Sequence, residues 1–132
     1  MNLSPKKSEP LKNAPAARRI KTYSARSGYV YQYFYEGQRR YEVSGETGTQ
    51  FVFSISPDRR TWRPTAVLLA AEALRAWEQA HARDISQTEQ YAIAKMALFQ
   101  AFDERETPAL MRDDVRVRPA DVAAILETLG LD

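Results

Sequence analysis

From Gly28 the chain alternates apolar and polar positions with period two, and after Pro64 the spacing lengthens to three or four residues. The first pattern reads as strands and the second as amphipathic helices. Tyr29–Glu36 is aromatic and β-branched, as strands are. Gly37-Gln38 follows with glycine first, which predicts a two-residue hairpin turn into a strand from Arg39 to Ser44. Glu46-Thr47-Gly48 predicts a three-residue turn into a third strand, Thr49 to Ser56, stopped by Pro57-Asp58. Asp58 to Trp62 is expected to add at most a short fourth strand.

Those two turn lengths fix which residues share a face. One face collects Val30, Phe34, Tyr41, Val43, Phe51, Phe53 and Ile55, and is expected to be the core face. The other collects Tyr29, Tyr31, Tyr33 and Tyr35 with Arg40, Glu42, Val52 and Ser54, and is expected to lie outside.

Pro64 suits a first helical turn, and Val67, Ala71, Leu74 and Trp77 follow at helical spacing to about Arg83. Ser86-Gln87-Thr88-Glu89 is a capping box, which opens a second helix through Leu98 and Phe102 to Arg105. One turn is expected over Ala109–Arg112 and an extended connector over Asp114–Arg118. A last helix runs from Pro119 through Ile125 and Leu129, with Gly130 placed to stop it. The predicted fold class is α+β: an antiparallel three- to four-stranded β-meander followed by three α-helices packed on one sheet face. Besides the apolar strand positions, Leu74, Trp77, Leu98, Phe102, Ile125 and Leu129 are expected in the core.

Charge divides the chain. Residues 1–27 hold seven of the 19 lysines and arginines but one of the 17 carboxylates. Pro5, Pro10 and Pro15 punctuate this stretch, which has few large apolar residues and no signal-peptide core. Residues 1–22 are therefore expected to be a disordered basic arm, and residues 23–132 a single α+β domain. The 132 residues contain no apolar run long enough for a membrane helix.

Candidate chemistry is sparse. With no cysteine and a single histidine, His81, thiolate metal sites and most histidine-dependent triads drop out. The serines lack a nucleophile motif, and Gly45-Glu46-Thr47-Gly48 lacks the lysine and helix of a phosphate loop. Asp103-Glu104-Glu106 and Asp113-Asp114 lack calcium-loop spacing. No metal, cofactor or catalytic residue is predicted.

What remains is the row Tyr29, Tyr31, Tyr33 and Tyr35, with Arg39, Arg40, Arg59 and Arg60 nearby. Tyrosine and arginine on an open sheet face suit a protein partner or a second copy of the chain. They also suit stacking of unpaired bases, with the arm neutralising phosphates. The expected function is thus a soluble, cytoplasmic, non-catalytic binding module for a protein partner or a second copy of itself, through the tyrosine-rich outer sheet face. Single-stranded nucleic acid is the alternative.

Overall fold

A computed structural model describes residues 9–130. The protein is α+β, but its sheet is mixed and has five strands in the order β1-β2-β3-β4-β5. These are β1 (Lys21–Ser24), β2 (Val30–Val43), β3 (Glu46–Ser56), β4 (Arg63–Ala70) and β5 (Val115–Val117). The first four are antiparallel neighbours, and β5 adds parallel to β4. Helices α1 (Ala71–His81) and α2 (Gln87–Glu104) precede β5, and α3 (Pro119–Thr128) follows it. Between α2 and β5 lies a 3-10 turn, Pro108–Arg112.

The hairpin expected at Gly37-Gln38 does not form. β2 continues straight through it, and Glu36 is left without a counterpart: Tyr35 faces Phe53 while Gly37 faces Val52. This β-bulge reverses the alternation of the strand. Gly37 has φ +138, and a Cβ there would lie 2.8 Å from the Lys12 carbonyl oxygen, so glycine is required twice over. The turn comes instead at Ser44-Gly45, where φ values of 52 and 81 give the mirror-image geometry that two-residue hairpins favour. Glu46, Thr47 and Gly48, expected as a turn, belong to β3.

The helix expected from Pro64 begins only at Ala71. Val67, Leu68 and Leu69 are buried on both faces of β4 between two neighbouring strands, and a continuous apolar run of this kind carries no period. Pro64 is tolerated because β5 pairs only from Val67 onward, leaving that side of β4 open. Asp58–Trp62 forms a turn rather than a strand.

The C-terminal half follows its local signals. Ser86 and Glu89 close a reciprocal capping box on α2. Pro119 opens α3 and Gly130, at φ +72, ends it. One core joins Phe51, Phe53, Ile55, Val67 and Leu69 of the sheet to Trp77, Ile93, Leu98, Phe102, Ile125 and Leu126 of the helices. Phe34 and Tyr41 are also buried, but on the opposite sheet face: Phe34 lies between Trp62 and the Arg18 guanidinium, and Tyr41 covers Gly48. Val43, Leu74 and Leu129, expected in the core, are half-buried.

Of the expected basic arm, residues 1–8 lie outside the described residues. The rest follows the β2 edge. Lys12 and Gln38 exchange backbone hydrogen bonds of 2.7 and 2.9 Å, and the Arg39 guanidinium donates to the Glu9 carbonyl. The expected boundary at residue 22 falls within β1. No helix among the described residues is long and apolar enough to cross a membrane.

Candidate functional site

The tyrosine row faces inward, not outward. Upstream of the bulge, odd-numbered positions of β2 point toward the helices. Tyr31 is 0% exposed and Tyr33 5%, while Tyr35 is half-buried and Tyr29 is exposed. Their partners come from α2: Tyr31 stacks on Phe102 with centroids 4.3 Å apart, Tyr33 meets Phe99 edge-on, and Tyr35 meets Tyr91. Burial pushes the Tyr35 phenol up to about 12, and raises Tyr31 and Tyr33 above their ordinary value. This is a packed aromatic seam and not a stacking platform.

The arginines separate. Arg39 is half-buried against residue 9, and Arg40 is exposed on the far arm of β2, pairing with Thr49. Arg59 and Arg60 sit on the turn between β3 and β4, at the opposite end of the sheet. The start of β2 lies at the same end, since Gln32 pairs with Ser56, and of the eight predicted site residues Tyr29 and Tyr31 are in ring contact there.

That end contains a cavity of about 250 Å³. Its lining includes Tyr31, Ile55 and Thr65 from the sheet, Asp58 from the turn, and Met111 and Arg112 from the 3-10 turn, with Arg63 at the start of β4. The sheet residues are almost fully buried, whereas Arg63 and Arg112 are exposed. Arg59, Arg60, Arg63 and Arg112 form no ion pair with any described residue. Tyr29 and Leu110 are exposed close by, at 39% and 44%. Tyr29 lies 6.3 Å from Tyr31 ring to ring, and Leu110 belongs to the 3-10 turn.

Two anchors hold the cavity wall. The Thr65 hydroxyl donates to the Met111 carbonyl at 2.7 Å. The Arg105 guanidinium, at the end of α2, donates to the carbonyls of Leu110, Asp113 and Asp114 at 2.8–3.0 Å. Burial lowers its pKa from the ordinary guanidinium value, opposed by Asp113 and Asp114.

Asp58 fixes the other wall. Its carboxylate accepts from the backbone N–H groups of Thr61 and Arg60, both at 2.8 Å, and from the Ser56 hydroxyl. The Thr61 and Arg60 amides bring the carboxyl down to about 2. An acid so low is a poor proton acceptor at neutral pH. Among the described residues no three His, Cys, Asp or Glu side chains come together as a metal site would need.

Sequence reasoning missed Thr65, Met111, Arg105 and Arg112. The breaks at Pro57-Asp58 and Thr107-Pro108 are both legible, but nothing local says that these two turns meet. No protein-family model, no curated protein and no solved structure matches this chain.

Proposed function

We propose that the protein is a small non-catalytic module that binds an acidic protein segment at the cavity end of its sheet. One observation carries this reading: Arg63 and Arg112, which form no ion pair with any described residue, line a recess flanked by exposed Tyr29 and Leu110. Arginine and tyrosine are the residue types that anchor interfaces, and guanidinium groups free of ion pairs favour carboxylates through charge-assisted hydrogen bonds. The acid at the site, Asp58, is tied into its own turn and too weak a base for proton transfer. Base stacking is less well supported, because Tyr29 alone of the four tyrosines is exposed.

Fluorescence anisotropy with a labelled pool of Asp- and Glu-rich peptides tests the proposal, alongside an oligothymidine probe. The expected result is peptide binding that the double variant Arg63→Glu/Arg112→Glu weakens at least about tenfold. Preferential oligothymidine binding that these changes leave intact would refute it in favour of the nucleic-acid alternative. Self-association in sedimentation that the same variant abolishes would refute it in favour of a homodimer.

A further inference from the structure

Tyr31 raises a question that packing does not answer. Its ring position is satisfied by Phe102, and a phenylalanine would fill the same seam. Its hydroxyl is buried, and among the described residues it has no hydrogen-bond partner. Buried polar groups are paired as a rule, and a hydroxyl left alone penalises the fold. Tyr31 is among the residues that line the 250 Å³ cavity, and although its hydroxyl is closed to solvent, a group seated against it from the cavity would supply the missing partner.

The remaining lining narrows what that group is. Ile55, Pro57, Pro108 and Met111 give apolar walls, suited to a short hydrocarbon stem. Arg63 and Arg112 bring two positive charges and Asp58 one negative charge, which its turn keeps ionised. With the Arg105 guanidinium also acting on the Tyr31 hydroxyl, the surroundings are net positive and favour an anion. A phenol hydroxyl donates well to a carboxylate oxygen.

We propose that the cavity is a built subsite for one carboxylate on a short apolar stem, which accepts a hydrogen bond from the Tyr31 hydroxyl beneath the charges of Arg63 and Arg112. A partner's glutamate side chain has this chemistry, and so does a free small carboxylic acid. The inference rests on the docking surface proposed above and assigns that surface its central contact. It also accounts for tyrosine at position 31, where the seam alone asks only for an aromatic ring.

Tyr31→Phe is the informative variant, because it removes the hydroxyl and keeps the ring on Phe102. Its thermal unfolding midpoint should match or exceed that of the parent, since an unpaired hydroxyl is lost. Binding should be followed by NMR titration with butyrate and with inorganic phosphate, and by anisotropy with the acidic peptide pool. Butyrate should shift the amides of Thr65 and Met111, phosphate should not, and Tyr31→Phe should weaken both butyrate and peptide about tenfold. Unchanged butyrate and peptide affinity in Tyr31→Phe overturns the subsite. Equal or stronger phosphate binding overturns the carboxylate assignment. If Arg63→Glu/Arg112→Glu abolishes peptide binding while Tyr31→Phe does nothing, the docking surface stands and the subsite falls. If butyrate binds in a Tyr31-dependent way and no peptide binds, the subsite stands and the docking surface falls.

Discussion

The Thr65 hydroxyl donates to the Met111 carbonyl at 2.7 Å, joining β4 to the 3-10 turn across 46 positions of sequence. Both residues are about 1% exposed, so neither group has water to fall back on. Thr65→Val preserves shape and removes the donor, leaving a buried carbonyl unpaired. It should destabilise the protein by about 1–3 kcal/mol, and Thr65→Ser should recover most of that. Urea denaturation reads both values, and equal losses in the two variants would mean that the methyl group, not the hydroxyl, matters.

Arg105 acts on the same wall from the other side. Its guanidinium bonds three carbonyls between Leu110 and Asp114, so Arg105→Ala should loosen that segment before the rest of the protein. Hydrogen exchange of the amides of residues 110–114 should speed up more than about tenfold, while α2 keeps its protection. Uniform acceleration across the chain would instead place Arg105 among general stabilising contacts. Arg105→Lys should not rescue it, since an ammonium cannot reproduce the fork.

How far the sequence carries depends on whether a signal is closed locally. Ser86 and Glu89 complete each other within four residues, and the helix they open appears where their spacing puts it. Pro119 and Gly130 bound α3 for the same reason. The tyrosine row shows the limit. Its face depends on one extra residue, Glu36, and the reason Gly37 bulges rather than turns is the Lys12 carbonyl pressed against it. A close approach from 25 positions upstream leaves no mark in the local pattern, and a one-residue error inverts every side chain that precedes it. Arg59 and Arg60 lie on a turn that proline and aspartate announce, whereas Tyr31, Tyr33 and Tyr35 are assigned through the strand face that the bulge inverts.

That bulge makes a sharp prediction. Gly37→Ala introduces a Cβ 2.8 Å from the Lys12 oxygen at a φ of +138, so the segment from residue 9 must move or the strand must. At Gly45, φ is +81 and no atom lies within 4 Å, so alanine there meets only backbone strain. Gly45→Ala should destabilise by about 1 kcal/mol and Gly37→Ala by distinctly more. The Lys12 and Gln38 amides, which bond each other's carbonyls, should lose exchange protection in Gly37→Ala alone.

The acid limb of stability follows from Glu89 and Asp58. Glu89 lies in the bidentate grip of Arg83, at 2.9 and 3.1 Å, and also accepts from the Ser86 amide; these contacts bring its carboxyl from 4.5 to about 2. Asp58 descends from 3.8 to about 2 through the Thr61 and Arg60 amides. A carboxyl whose pKa is lower in the folded state stabilises that state when ionised. The contribution is therefore complete at neutral pH, starts to fade as pH falls through the ordinary carboxylate range, and is gone below about 2. Glu89→Gln should lower stability at neutral pH and flatten its dependence between about pH 5 and pH 2, with the two curves converging at the acid end. Urea midpoints measured across that range decide the matter: parallel curves for Glu89→Gln and the parent would show that Glu89 holds α2 by hydrogen bonding alone, without its charge.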